Sequence, residues 1–434
     1  MSYRLKRVIT LFLIVFLSLP LYSCSIFSQP ASQDVNQEKP ATTITFMSYW
    51  GGNSPYRDLV EETIRDFMDK NPDINVINNS LSNEDYLSKL KTDIVSGYMP
   101  DVFYLWPGYD LESLISAGQV ASLSDTMNND PEWKKTFSIN GLFYNNYSRG
   151  LYGLPFETNF TGLYINTRIL SENGLRIPEN YDELCQVIKK LREKGIVPIA
   201  YSADTEGSLL YQTIVASLSN RNTSIQFSVN KSWDSSYVEA MKIMRELDSM
   251  NAFPENSFIM SGYEQNKLFL SGEAAMVVEG SWFSGYLDQM KDPVELVNFP
   301  IIDSTDETGY NLICMDGYGS FHLSSTAFNN PSVNEAAIRF LKYITSQEVV
   351  CKFISEKGII SALNLDDSVY ESNLFAKRGL EIIRNSKMSY KFSSEIFGEQ
   401  VWNDIFINEF PYMLENEVTP EQLYDQALKL KPGR

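Results

Sequence analysis

Apolar positions along this chain follow two periods, and the alternation between them outlines a repeating architecture. Ile44 to Trp50 is a run of apolar and β-branched side chains that predicts a strand, closed by the turn Gly51-Gly52-Asn53-Ser54-Pro55. Val60, Ile64, Phe67 and Met68 then fall at i, i+4, i+7 and i+8, a helix with one apolar face that stops near Asn71-Pro72. Ile74 to Ile77 returns as a strand, and a strand, helix, strand unit builds a parallel sheet. A second helix, Asn83 to Val95, ends at Gly97 and leads into a strand over Pro100 to Trp106. Farther on, Tyr181, Leu184, Ile188 and Leu191 form the stripe of a helix capped by Asn180 and Glu183 and stopped by Gly195, with Val197 to Tyr201 as the strand after it. Ser332-Val333-Asn334-Glu335 predicts a capping box for a helix over Ala336 to Ser346. No internal repeat of roughly 20 to 50 residues is visible, which argues against solenoids and propellers.

The segment Phe269 to Trp282, Phe-Leu-Ser-Gly-Glu-Ala-Ala-Met-Val-Val-Glu-Gly-Ser-Trp, ends a helix, runs into a short strand and presents an indole at a glycine turn. Gly280 lets the backbone turn sharply beside a ligand, and Trp282 offers a flat apolar face with one N–H donor. A sugar ring suits such a floor, because its axial C–H face is apolar while its rim is hydroxyl. The competing reading is a core tryptophan at a strand end. Trp50, Tyr104, Trp106 and Asp110 sit at other strand ends, where ligands bind in open α/β sheets.

The run from Phe269 to Trp282 resembles the signature of the family 1 extracellular solute-binding proteins, carbohydrate receptors of ABC importers. The helix ending in Gly97 before Pro100-Asp101-Val102 resembles a second family hallmark, and Ala117 to Leu123, Leu151 to Phe156 and Asn311 to Phe321 match in correct order. The likeness spans roughly Ile44 to Leu363. It implies a class II periplasmic-binding-protein-like fold: two α/β lobes of parallel-rich sheets flanked by helices, joined at a hinge with the ligand between them. The segment Leu151 to Asn166 would be a crossing, putting Glu157 and Asn159 at the hinge. The lobes would be 43–157 plus 297–355, and 158–296 plus 356–434. The ligand set implied is Trp50, Tyr104, Trp106, Asp110, Glu157, Asn159, Glu279, Gly280, Trp282, Asp316 and Tyr318, with Asp204, Glu206 and Trp402 as weaker candidates. Trp402 also fits the core.

The chain start bears on where such a receptor would work. Arg4, Lys6 and Arg7 precede an apolar run from Val8 to Leu19, and Leu21-Tyr22-Ser23-Cys24 occupies the place of a cleavage site. Residues 1–23 therefore read as a lipoprotein signal peptide with Cys24 as the acylated residue, although Tyr22 is larger than the usual small residue. An uncleaved span is the competing reading, since about 20 apolar residues cross a bilayer, but Pro20 and Ser23 to Ser25 count against it. Residues 24–42, rich in Ser, Gln, Pro and Ala, read as a flexible tether.

Composition narrows the alternatives. At 434 residues the chain is expected to form two or three compact units. Its 36 basic and 55 acidic side chains give a net charge of −19; without Arg4, Lys6 and Arg7 the balance is 33 to 55, or −22. That field repels phosphate backbones, so nucleic acid is not an expected partner. Beyond Cys24 only Cys185, Cys314 and Cys351 remain, without short spacing, and His322 is the single histidine. Neither a disulfide framework nor a metal site is suggested, and no cofactor is expected. The expected partners are a sugar or oligosaccharide and a membrane permease, with the receptor monomeric. A secreted carbohydrate-active enzyme is the alternative from another class, since paired carboxylates and aromatic platforms also build glycosidase sites. A polyamine or other solute in the same fold is a third.

Overall fold

The computed structural model describes residues 41–218, 235–302, 312–386 and 388–430. The expected signal segment, Cys24 and nearly all of the tether lie outside the described residues. Within them the predicted alternation is found. Strand β1 (Thr42–Met47), helix α1 (Arg57–Lys70), strand β2 (Ile74–Asn78), helix α2 (Asn83–Val95) and strand β3 (Val102–Leu105) follow one another, and β1 pairs in parallel with both β2 and β3. The first strand stops three residues earlier than its apolar run suggests. The Ser48 N–H bonds to the Ser80 hydroxyl at 3.0 Å, and a Cβ on Gly51 would stand 2.1 Å from the Ser80 carbonyl. The chain after β1 is thus drawn onto the loop following β2, so Tyr49 and Trp50 leave the pleat.

Helix α3 (Tyr109–Ser116) leads through short helices to strand β4 (Leu154–Asn166), thirteen residues long and buried throughout. Helix α4 (Tyr181–Glu193) then begins as expected, with the Asn180 side chain accepting from the Glu183 N–H at 3.0 Å. Strand β5 (Val197–Ala200), helices α5 (Ser208–Leu218), α6 (Ser235–Ser249) and α7 (Gly262–Leu270), and strand β6 (Ala274–Gly280) follow. Strands β7 (Val294–Val297) and β8 (Leu312–Leu323) bring the chain back to β4. Helix α8 (Pro331–Ile344) starts five residues before the predicted Ala336, so the expected box lies inside its first turns. Pro331 takes the first helical position, where its fixed φ and missing N–H cost nothing, and the Ser332 hydroxyl donates to Asn330 instead of capping. Helices α9 (Gln347–Lys357) and α10 (Leu374–Asn385), strand β9 (Met388–Tyr390) and helix α11 (Pro420–Leu430) complete the larger elements.

The sheet runs β2-β1-β3-β8-β4-β6-β5, with β9 beside β8 and β7 beside β4. Strand β4 serves two neighbourhoods. Leu154 to Phe160 pairs antiparallel with β8, and Thr161 to Asn166 pairs with β6 and β7. Two hydrophobic clusters meet across it: Phe156, Phe160 and Tyr164 pack into the first, whereas Leu163 and Ile165 pack into the second. The first gathers β1, β3, α1, α8 and α9; the second gathers α4, α5, α6, α11 and Phe392 to Leu414. Ile359, Leu363, Tyr370 and Ile382 pack with the first cluster, so the expected division after residue 355 does not coincide with the division of the cores. The reason is pairing: Thr158 N–H donates to the Ile360 carbonyl at 2.8 Å and Ala362 N–H to Phe156 at 2.9 Å, which lays this segment along β4.

A tight contact fixes β8 against β3. A Cβ on Gly319 would stand 1.7 Å from the Tyr104 hydroxyl, so only glycine leaves room for that group. Gly319→Ala is expected to cost roughly 2 to 4 kcal/mol in denaturant unfolding, from overpacking plus a displaced buried hydroxyl. Adding Tyr104→Phe, which removes the obstructing oxygen, should recover part of that loss. An alanine variant as stable as the parent would show that the approach is not tight.

Candidate functional site

The hinge strand carries the best-ordered part of the site. Glu157 on β4 is 1% exposed, and one of its carboxylate oxygens accepts from the Tyr49 hydroxyl at 2.8 Å and the Tyr104 hydroxyl at 2.7 Å. Burial raises the Glu157 carboxyl above the usual range, and the hydroxyls of Tyr104 and Tyr49 oppose that shift by stabilising the anion. Two residues on, Asn159 is 2% exposed; its carbonyl accepts from the Ser281 hydroxyl at 3.2 Å, and its side-chain nitrogen, which also helps stabilise the Glu157 anion, has no close partner among the described residues.

Strand β6 supplies the opposing group. Its register sets Gly280 against Thr161 and Glu279 against Gly162. Glu279 is fully buried, with one oxygen accepting from the Gly280 N–H at 3.0 Å and the other without a close partner among the described residues, although the Asn266 side chain also stabilises the anion. Burial, followed by the like charge of Glu206, pushes its carboxyl up to about 8. Tyr164 donates to the Gly280 carbonyl at 3.1 Å and holds the turn from behind. A Cβ on Gly280 would meet the six-membered ring of Trp282 at 2.2 Å, so the indole lies folded against bare backbone. Trp282 is partly exposed, and its carbonyl accepts from the Tyr56 hydroxyl at 3.0 Å, a bond from the α1 side of the first core.

The remaining sequence candidates separate into groups. Trp106 is partly exposed and stacks at 4.8 Å from Tyr49 and 5.7 Å from Tyr104, beside the Glu157 carboxylate. Trp50 and Tyr104 themselves are fully buried. Trp50 is ringed by Tyr49, Tyr56, Tyr104, Phe156, Phe321 and Phe353, so its faces are core surface, although its indole N–H has no partner. Trp50 lies in phase with Ile44 and Phe46, the buried side of β1, so alternation along the strand already points it inward. Trp402 is 2% exposed and stacks on Phe406 and Tyr211 within the second core. Tyr318 pairs with Thr158 on the face of β8 opposite to Gly319, and its ring lies 5.5 Å from Tyr144. It therefore packs away from the Glu157 and Tyr104 contact. Asp316 lies on β8, and its side chain is outside the described residues.

Asp110 has a different partner from the one expected. Lys91 of α2 stands 3.2 Å from Asp110 and 2.5 Å from Glu399, joining a helix of the first core to the segment that enters the second. Asp204 accepts from the Ser202 hydroxyl at 2.6 Å and from the backbone N–H groups of Gly207 and Gly262. With Glu206 it follows β5, the parallel neighbour of β6. His322 is buried between the carbonyls of Tyr152 at 2.8 Å and Leu105 at 3.2 Å, and burial lowers its imidazolium to about 4, which suits a structural role.

Sequence reasoning missed Tyr49, Tyr56, Ser281 and Tyr286. Tyr49 adjoins Trp50 in a run read as one strand, where alternation would have placed the two on opposite faces; the bend removes that inference. Tyr56 carried no signal, since a residue just before a helix is read as a boundary.

The fold recurs in known proteins. A chitin oligosaccharide binding protein superposes with a TM-score of 0.78 over 90% of this chain and 98% of its own, at 20% identity. A solute-binding protein solved with raffinose gives 0.71 over 90% and 99%, also at 20%. These neighbours are two-lobed solute-binding proteins, and the fold is theirs. Among relatives by sequence, the multiple sugar-binding protein of Streptococcus mutans is 24% identical over 327 residues, 72% of this chain and 74% of that protein. The lactose-binding protein of Rhizobium radiobacter is 21% identical over 320 residues, 70% and 72%. The profile of the bacterial extracellular solute-binding protein family matches residues 49–350, well over half of the chain, and the protein belongs to that family.

Proposed function

We propose that this chain is the extracytoplasmic substrate-binding lipoprotein of an ABC importer, taking a sugar or oligosaccharide between its two halves and handing it to a membrane permease. The observation that carries this reading is a pair of buried polar side chains on adjoining strands, the Asn159 amide and the Glu279 carboxyl, each with one atom that lacks a close hydrogen-bond partner among the described residues, although Asn159 also acts on Glu157 and Asn266 on Glu279. Leaving such groups unpaired costs about 1–3 kcal/mol each, and a polyol supplies both a hydroxyl donor and a hydroxyl acceptor. Trp282 and Trp106 flank them as partly exposed aromatic faces, which matters because each exchanged hydroxyl hydrogen bond gains only ~1 kcal/mol. Stacking then supplies the rest.

In this reading the halves are residues 43–157 plus 297–355 and 158–296 plus 356–434, with the 359–382 segment packed against the first. Ligand contacts from both halves exist only when the molecule is closed, so ligand shifts the population toward the closed form. The permease recognises that form. Cys24 carries the lipid, 24–42 is the tether, and the receptor acts as a monomer that makes and breaks no bond. The names of the relatives support the sugar assignment.

Glu279 adds a thermodynamic signature. A carboxyl raised from 4.5 to about 8 on folding binds its proton more tightly in the native state. Between those values the unfolded chain ionises first, so the stability present at low pH is lost as pH rises through this window. At about 1.4 kcal/mol per unit the loss is at most roughly 5 kcal/mol. Glu279→Gln, which cannot ionise, should therefore match the parent in thermal melts near pH 5 and exceed it by on the order of 2 kcal/mol or more at pH 8.5. Equal curves at both pH values would remove the buried carboxyl from the site.

Trp282→Ala should weaken binding of the sugar identified by a thermal-shift screen by at least ~2 kcal/mol, as loss of a central aromatic commonly does, with the far-ultraviolet circular dichroism retained. An unchanged dissociation constant in calorimetry would return Trp282 to the core. Incubation with oligosaccharides should yield no new reducing ends, whereas their appearance would favour the enzyme reading. Cys24→Ser should shift the protein from the membrane fraction to the soluble extracytoplasmic fraction, and continued membrane attachment would argue for an uncleaved anchor.

A further inference from the structure

Three charged side chains link elements of the two hydrophobic cores. Lys91 of α2 stands 3.2 Å from Asp110, on the first turn of α3, and 2.5 Å from Glu399. The neighbours of each charge are anchored. Leu90 and Leu111 are buried in the first core, while Phe397, Val401 and Trp402, on either side of Glu399, are buried in the second. Gly398, at φ 85° in the left-handed region that favours glycine, turns the chain between Phe397 and Glu399. Each charge is therefore carried by its own core, and the separation of Lys91 from Glu399 follows any relative movement of the two.

Beside the bridge lies a cavity of about 290 Å³, lined by Asp110 from α3 and by Phe397, Glu399, Val401, Asp404 and Leu430 from the side of the second core. Close packing does not seal the boundary at that point, so the dispersion contacts that make an interface permanent are missing there. The group that spans it is an ion pair, which forms and parts at little cost. The Asp110 arm lies within the first core alone, so Lys91 keeps one carboxylate partner whether or not Glu399 is near. Separation gives up only the Glu399 arm, unlike the rupture of a buried pair that strands a lone charge. Partial burial acts to lower the Lys91 ammonium, but the Glu399 hydrogen bond and both carboxylate charges leave it above its ordinary range, so it stays charged around neutral pH.

We propose that Lys91 and Glu399 form a latch between the two halves, which biases the unliganded receptor toward the juxtaposed arrangement and so tunes affinity without touching the ligand. This rests on the division into halves given above, and not on which solute is bound. A partly exposed ion pair supplies too little energy to lock a hinge; it changes the binding-competent fraction by a few fold, and that fraction enters the apparent dissociation constant directly. Asp110, expected from the sequence to hold a hydroxyl, acts here as the group that keeps Lys91 in place.

The test is single-molecule fluorescence energy transfer on the full chain without ligand, with dyes attached through unnatural amino acids at Glu61 and Lys189, exposed positions on α1 and α4. Lys91→Glu and Glu399→Lys should each raise the ratio of separated to juxtaposed molecules at least threefold. The variant carrying both reversals, which restores opposite charges across the boundary, should return to within twofold of the parent. In calorimetry with the sugar found by the thermal-shift screen, the apparent dissociation constant should rise in each single variant in proportion to the juxtaposed fraction lost, and recover in the double one. Single variants with the parent's distribution, or a double variant no better than the singles, would overturn the latch. A shifted distribution with unchanged affinity would overturn its part in binding. Distributions that behave as expected in a protein that binds no sugar would uphold the latch and sink the saccharide reading alone.

Discussion

Because every residue of β4 is buried, its backbone groups have no access to water and must be paired along the whole length of the strand. The chain meets that demand with different partners at each end: β8 and the Ile360 segment for the first half, β6 and β7 for the second. The two hydrophobic cores are consequently built on one backbone rather than joined by a loose linker. Glu157 and Asn159 lie on the first half just before the partners change.

Binding and stability pull against each other at this junction. The Tyr49 and Tyr104 hydroxyls hold Glu157 as a fixed acceptor, so its burial is largely compensated. Glu279 is not compensated in that way, and neither is the Asn159 amide. A core selected for stability alone would replace such groups by apolar ones of similar shape, because half-satisfied polar groups cost more than hydrocarbon. Their presence on β4 and β6 is what the proposed ligand site rests on.

Much of this was legible in the residues, for reasons that differ from element to element. Helix α2 matches its predicted bounds because its amphipathic stripe and its closing Gly97 are local signals. The cap of α4 was legible for the same reason, since Asn180 and Glu183 are neighbours in sequence. The motif from Phe269 to Trp282 located the turn at Gly280 through composition alone. What was not legible depended on tertiary contact. Trp50 was read as a strand-end aromatic for a ligand, yet Tyr49, Tyr104, Phe156 and Phe353 close around that ring and make it core. Asp110 was read as a hydroxyl acceptor, but its ion pair with Lys91 depends on the packing of α2 against α3. No pattern along the chain reports that.

The Lys91 bridge between Asp110 and Glu399 has a consequence for behaviour outside the cell. All three side chains are roughly 36–49% exposed, so ions of the surrounding medium reach the bridge and weaken it. Exposed ion pairs of this kind contribute at most about 1 kcal/mol, so the link from α2 to the Glu399 segment is firmer in dilute medium and looser in brine.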